Sequence, residues 1–277
     1  MAKKKEAKQI SKAQRLAAKN ARKAHAGHSL QALSKLGEVV DGRYGIVSQP
    51  PIVVRAREFE SMYRIPADQL VDIVHGQLQA YRATLQVDRR HLLERVELVD
   101  MAWHVVGVGS GGTRAFIVLL QGRDDGDPLF LQVKEPTASV LEDSLPKSQF
   151  KNPGERVVQG QRMMQAASDI FLGWTKGHEA NRYLYWRQLP DMKGSALVET
   201  MAPQTLKLYA GFCGWTLARA HARSGDAIAL AEYLGENDDF DQSITYFSRL
   251  YAEQNDLDYA AICEAVASGH LEAVEGL

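Results

Sequence analysis

Three glycines and one lysine are the residues of this sequence whose spacing most clearly indicates chemistry. Gly107, Gly109 and Gly112 fit the pattern G-x-G-x-x-G, and the residues after them, 113–118, have the composition of a strand. A glycine loop lets the backbone approach phosphate groups closely, so that its N–H groups can bind their charge. Lys134 ends an apolar run, where an ammonium group without an anionic partner would be unfavourable. The pattern therefore indicates phosphate binding.

The strand after the loop distinguishes two classes of nucleotide site. In dinucleotide-binding folds the glycine loop opens a helix, whereas residues 113–118 predict a strand. Protein kinases cover ATP with a glycine loop between antiparallel strands, and a lysine on the next strand reaches the phosphates. We therefore predict three antiparallel strands over residues 97–135, with the three glycines and Lys134 binding ATP together with Mg²⁺. A flexible β-turn followed by an edge-strand lysine is the structural alternative.

The kinase pattern also requires a carboxylate that pairs with the lysine from the following helix. Glu142 and Glu155 are both candidates, and their spacing does not choose between them. Glu135 is a poor partner, because adjacent residues of a strand point to opposite faces of the sheet.

A second group of polar residues follows a long helical pattern further along the chain. His221, Arg223 and Asp226 lie close together in the sequence and resemble the histidine, arginine and aspartate of a kinase catalytic loop, which makes them candidate catalytic residues. No asparagine follows at the kinase spacing, and Asp226 is an equally natural N-cap for a helix from Ala227. Asp239-Phe240-Asp241 lacks the glycine of the metal-binding D-F-G motif and predicts another helix start.

The helices and strands predicted around these residues indicate an α+β protein that resembles a kinase. It has a small antiparallel sheet with the glycine loop, a mainly helical C-terminal lobe, and N-terminal helices before both. We divide the chain into residues 1–95, 96–202 and 203–277. The predicted elements are a helix over residues 2–36, a hairpin turning at Asp41-Gly42, helices starting near Pro66 and at Arg89, a helix over Gly154–Ala167, a strand over Tyr183–Leu189, and helices from Pro203 with breaks near Gly225, Gly235 and Asp256.

Composition excludes several classes of protein. The formal net charge is -1, and nine Lys or Arg stand against one Glu within residues 1–25, so a basic surface for nucleic acid is confined to the N-terminus. No apolar run is long enough to span a membrane. The two cysteines are far apart, and no histidine or cysteine cluster has metal-ligand spacing, which indicates a reducing compartment and no metal centre. We expect a cytoplasmic protein.

Several longer motifs resemble the uncharacterised bacterial family called domain of unknown function 2252. The similar segments are 105–110, 129–135, 156–158, 160–162, 188–189 with 191–194, and 213–215 continuing through 220–226. The resemblance extends from about Ala24 over the rest of the chain. It implies that longer members carry a Gly-Asp-x-His-x-x-Asn motif, like the catalytic loop of small-molecule kinases, before the glycine loop. The only Gly-Asp pairs here, Gly126-Asp127 and Gly225-Asp226, lack that His and Asn, so we expect an N-terminally truncated member.

Three functions remain open from the sequence. The chain is one half of a split small-molecule phosphotransferase whose catalytic loop comes from a separate polypeptide, or a nucleotide-binding module without chemistry. Alternatively it is an interaction protein without nucleotide, whose basic N-terminal helix contacts an acidic partner. The sequence favours the nucleotide-binding module that lacks a catalytic loop.

Overall fold

The computed structural model describes residues 33, 36–40, 43–58, 67–105, 112–124, 127–179, 181–189 and 196–273. The chain divides into two compact units, Met1–Leu217 and Ala218–Leu277. The helix predicted over residues 2–36 lies outside the described residues, apart from Leu33 and Leu36, which are helical.

The first unit contains a six-stranded antiparallel sheet with the order β3-β4-β5-β6-β8-β7. Its strands are β3 (Val53–Arg55), β4 (Glu97–His104), β5 (Ala115–Gln121), β6 (Pro128–Lys134), β7 (Gly173–Lys176) and β8 (Tyr183–Gln188). The three-stranded meander predicted over residues 97–135 is confirmed as β4, β5 and β6. A strand, not a helix, follows the glycine loop, so the helix that a dinucleotide-binding loop would open is not found in residues 112–121. The short strands β3 and β7 were not predicted from the sequence.

A separate two-stranded sheet precedes the large one. β1 (Gly37–Val40) pairs with β2 (Arg43–Ile46) in antiparallel register, as the hairpin prediction required. The carboxylate of Asp100 on β4 fixes this hairpin to the large sheet. Asp100 Oδ2 accepts hydrogen bonds from Ile46 N at 2.9 Å and from Arg55 Nη2 at 2.9 Å, and Oδ1 accepts one from Met101 N at 2.9 Å.

Six α-helices have ranges that lie within the described residues. They are α1 (Ala67–Ala83), α2 (Val87–Leu93), α3 (Pro153–Met164), α4 (Pro203–Ser224), α5 (Ala227–Leu234) and α6 (Asp239–Ala267). The prediction of a break near Asp256 is wrong, because α6 continues through it. Within α6, Gln254 Nε2 donates to Asp258 Oδ1 at 2.8 Å, a side-chain pair at helical spacing that spans the predicted break. No helix in the described ranges is long and apolar enough to cross a membrane.

The two faces of the large sheet are covered by two separate groups of buried side chains. On one face α1 packs against the sheet, where the Tyr81 ring stacks on Trp186 with ring centroids 4.7 Å apart. The Tyr81 hydroxyl donates to Phe171 O at 2.5 Å, and burial raises the pKa of this hydroxyl well above its ordinary value. On the other face, the buried side chains of Ile46 and Ile117 belong to the second group.

Candidate functional site

Lys134 lies at the end of β6, beside the strand that follows the glycine loop. The loop connects β4, which ends at His104, to β5, which begins at Ala115. Gly107 and Gly109 lie outside the described residues. Gly112 has a φ of +74°, in the left-handed region that favours glycine. Lys134 is in register with Ala115 on one side and with Tyr185 of β8 on the other. The end of the glycine loop and the lysine are therefore at the same end of the sheet.

The face on which Lys134 lies follows from this register. Directly opposed residues of antiparallel strands share a face, and residues two apart along a strand share it too. Lys134 is therefore on the same face as Gln132 and Tyr185, while Val133 and its partner Trp186 are on the face covered by α1. We call the two surfaces the lysine face and the α1 face.

Helix α3 lies on the lysine face. Trp174 of β7 is in register with Tyr185, which places its ring on that face, and the Arg162 guanidinium of α3 lies 5.9 Å from the centre of this ring. At the other end of the helix, a Cβ added to Gly154 would lie 2.6 Å from Leu184 O, so the backbones approach closely there. The first turn of α3 is thus next to the β8 residues that flank Lys134.

The structure separates the two glutamates proposed as partners of the lysine. Glu155 lies in the first turn of α3, which begins at the Asn152 cap, whose Oδ1 accepts hydrogen bonds from Gly154 N at 2.8 Å and Glu155 N at 3.3 Å. Glu155 precedes the buried Val158 by three residues, so both lie on one stripe of the helix. Glu142 instead lies in a short 3₁₀ helix, and its Oε1 accepts from Ser148 N at 3.3 Å. Glu155 is therefore on the helix that lies on the lysine face, whereas Glu142 accepts a hydrogen bond from its own connecting segment.

Glu135 belongs to a cluster of charged side chains around the turn between β7 and β8. Its Oε1 accepts from Arg182 Nη1 at 2.6 Å, and its Oε2 accepts from Arg114 N at 3.2 Å. Glu179 accepts from Arg114 Nη1 at 2.6 Å and lies 3.5 Å from Arg182 Nε. The hydrogen bond from Arg114 holds the pKa of the Glu179 carboxyl below its usual range. Two arginines and two glutamates thus neutralise one another at this turn.

A second polar pair occupies the lysine face two residues before Lys134. The buried Gln132 accepts hydrogen bonds through Oε1 from Arg187 Nε at 3.0 Å and from Arg187 Nη2 at 2.7 Å. This pair was not predicted from the sequence, because its members are 55 residues apart and neither belongs to a recognisable motif.

The candidate catalytic residues His221, Arg223 and Asp226 belong to the second unit. His221 and Arg223 are exposed in the last turn of α4. Asp226 is the N-cap of α5, and its Oδ1 accepts from Ile228 N and Ala229 N, each at 3.0 Å. The helix cap expected as the structural role of Asp226 is therefore present.

The cap gives a prediction about stability. Asp226→Ala should lower the free energy of unfolding by about 1 kcal/mol, because two N–H groups of α5 lose their acceptor. Urea unfolding followed by circular dichroism measures this change, and Asp226→Asn, which keeps an acceptor oxygen, is the matched control. Equal losses in the two variants would contradict the capping role.

These elements define an α+β protein whose antiparallel sheet carries a lysine and a helix on one face and α1 on the other. A family model described as an uncharacterised protein conserved in bacteria, domain of unknown function 2252, matches residues 1–265. The chain belongs to this family, as its motifs indicated. Neither a curated protein nor a solved structure matches it.

Proposed function

We propose that this chain is a kinase-like nucleotide-binding module that holds the phosphates of ATP between its glycine loop and Lys134. One observation carries the proposal: the order of elements around the lysine. A glycine loop joins the first two strands of the meander, Lys134 ends the third, and the helix that follows, α3, lies on the lysine face. Protein kinases use this order to bring a loop, a lysine and a helix glutamate to ATP.

Within this proposal Glu155 orients Lys134. A carboxylate on α3 would hold the ammonium group in position for the phosphates, as the helix glutamate of kinases does. The close approach of Gly154 to Leu184 supports this role, because Leu184 neighbours the residue paired with Lys134.

The described residues fit the phosphate part of ATP better than its base or its metal ion. On the lysine face beside Lys134, Gln132 Oε1 and the Arg187 guanidinium are bonded to each other, so these groups are not available to select a base. Within the described ranges no three His, Cys, Asp or Glu side chains cluster closely enough to hold a metal ion. Mg²⁺ would therefore arrive with the phosphates, which is its usual mode in nucleotide sites. We expect weak binding with little preference between ATP and GTP.

Phosphate transfer is not expected from this chain alone. Transfer depends on metal ions and on an aspartate that positions the acceptor, and the sequence contains no Gly-Asp-x-His-x-x-Asn motif. A separate polypeptide that carries this motif is the partner we propose for catalysis, which would make the chain one half of a split phosphotransferase.

Calorimetric titration with Mg-ATP tests the proposal. Lys134→Ala should weaken binding by about tenfold to a hundredfold, because a charge-assisted contact to phosphate is worth about 1.5–3 kcal/mol. Lys176→Ala is the matched control, since Lys176 is an exposed lysine on β7 of the same sheet, and it should leave binding unchanged. Absence of heat from the folded wild type, or equal affinity of the Lys134→Ala variant, would refute nucleotide binding at this site.

A second function is supported by the helices beyond Pro203. Tyr209, Phe212 and Trp215 of α4 have exposures of 39%, 57% and 59%, and no residue of α4, α5 or α6 is buried. Large exposed apolar side chains are typical of surfaces that bind other proteins. A folded chain that binds no Mg-ATP would favour this interaction role over the nucleotide module.

A further inference from the structure

A cavity of about 160 Å³ lies on the α1 face, which is the opposite face of the sheet from Lys134. Met101, Phe116, Val133 and Trp186 line it from the sheet, and α1 closes one side with Ile73, Val74 and Gln77. Val133 is adjacent to Lys134 along β6, so strand alternation directs their side chains to opposite faces. The cavity is therefore distinct from the proposed phosphate site.

The walls of the cavity are suited to a flat aromatic ring. The ring of Trp103 meets Phe116 edge to face, with centroids 5.5 Å apart, and the indole of Trp186 contributes a third aromatic surface. Aromatic rings pack favourably against one another in stacked or edge-to-face geometry. An apolar cavity of about 150 Å³ is large enough for one benzene molecule. Size and chemistry together indicate a single ring.

One of the residues that line the cavity, Gln77, has a side-chain oxygen without a hydrogen bond. Gln77 Oε1 is buried, and no donor reaches it from the part of the chain that the structure describes. Buried side-chain oxygens are normally hydrogen-bonded, and an exception of this kind indicates a missing partner. A ligand that donates an O–H or N–H group would supply that partner.

The charged residues that also line the cavity do not select an ionic ligand. Arg114 is bonded to Glu179, and Arg182 is bonded to Glu135, both at 2.6 Å. Each arginine therefore has a carboxylate partner already, and the four charges cancel. A neutral ligand meets no uncompensated charge here.

We propose that this cavity binds a neutral single-ring aromatic molecule that carries one hydroxyl or amine donor directed at Gln77 Oε1. The proposal does not depend on nucleotide binding, because the cavity and Lys134 lie on opposite faces of the sheet.

Titration of the full chain with phenol and with benzene tests the proposal, and the indole resonances of Trp103 and Trp186 in nuclear magnetic resonance spectra report on occupancy. Phenol should bind about tenfold more tightly than benzene, the contribution of one hydrogen bond to a buried acceptor. The Gln77→Leu variant should lose this preference for phenol but still bind benzene. Gln79→Leu is the matched control, because Gln79 is exposed on the same helix, and it should behave as the wild type.

Two further measurements test whether the ligand needs an aromatic ring and whether it binds in this cavity. Hexanol carries the same donor without a ring and should bind more weakly than phenol. The larger side chain of the Ile73→Trp variant should fill the cavity, so that neither phenol nor benzene binds, while the variant still unfolds cooperatively. Unperturbed indole resonances at millimolar phenol, hexanol binding as tightly as phenol, or a phenol preference that survives Gln77→Leu would each overturn the proposal. If Ile73→Trp does not fold, the Gln77→Leu comparison still decides it.

Discussion

Replacement of Asp100 by alanine is expected to lower the free energy of unfolding by about 3 kcal/mol, because removal of one partner from a buried ion pair leaves the other charge uncompensated. The Asp100 side chain is 5% exposed and that of Arg55 is 12% exposed, so solvent replaces little of the lost interaction. Ile46 N and Met101 N lose their acceptor as well. Urea unfolding of the variant measures the loss.

A second carboxylate bound to Arg55 provides the control for this experiment. Glu38 Oε1 also binds Arg55, at 2.9 Å, but the Glu38 side chain is 42% exposed. Glu38→Ala should therefore cost only about 0.5 kcal/mol, as exposed ion pairs generally do. Equal losses for Asp100→Ala and Glu38→Ala would contradict the assignment of Asp100 as the residue that fixes the β1–β2 hairpin to the sheet.

The meander and its lysine could be predicted from sequence because each rests on local signals. The glycine-rich residues 107–112 separate two apolar strand-forming runs, and the turn at 124–128 separates the second run from a third. The register that brings Lys134 next to Ala115 follows from a short connection between consecutive strands. The helix predicted from Gly154 begins at Pro153, within one residue, and the helix start predicted at Asp239 was indicated by its first residues.

The short strands β3 and β7 could not be predicted in the same way. Each has three or four residues, too few for the alternation of apolar and polar side chains to appear. Their strand conformation comes from pairing with β4 and β8, which are already strands. Pairing with neighbouring strands therefore determines the strand conformation of these segments, and their own composition does not.

The candidate sites differ in the same way, because one has a local sequence signal and the other depends on tertiary packing. The sequence indicated Lys134 as a candidate but left Glu142 and Glu155 equivalent, because the packing of α3 on the lysine face and the bond of Glu142 with Ser148 arise only in the folded chain. The cavity on the α1 face had no local signal at all. Its lining comes from α1, the sheet and the β7–β8 turn, so it exists only after these segments have packed together.

Trp186→Ala is expected to cause the largest loss of stability, about 4 kcal/mol, which is typical for removal of a buried aromatic side chain. Trp186 is 2% exposed, stacks on Tyr81, and donates from Nε1 to Thr175 Oγ1 at 3.1 Å. The variant therefore loses packing and leaves a buried hydroxyl without its donor. Urea unfolding measures the change, and Trp215→Ala, which removes an indole that is 59% exposed, should alter stability by less than about 0.5 kcal/mol.

The same variant links stability to the proposed aromatic site. Removal of the Trp186 indole enlarges the cavity on the α1 face, so free indole should bind there and restore part of the lost stability. At a free concentration about tenfold above its dissociation constant, indole should stabilise Trp186→Ala by about 1.4 kcal/mol, with a smaller effect on the wild type, whose cavity has room for one ring. Lys134 lies on the opposite face of the sheet. The affinity for Mg-ATP, measured under conditions in which Trp186→Ala is folded, should therefore be lowered by Lys134→Ala and be unchanged by indole. Stabilisation by indole that is equal in the wild type and Trp186→Ala would mean that the ligand binds elsewhere.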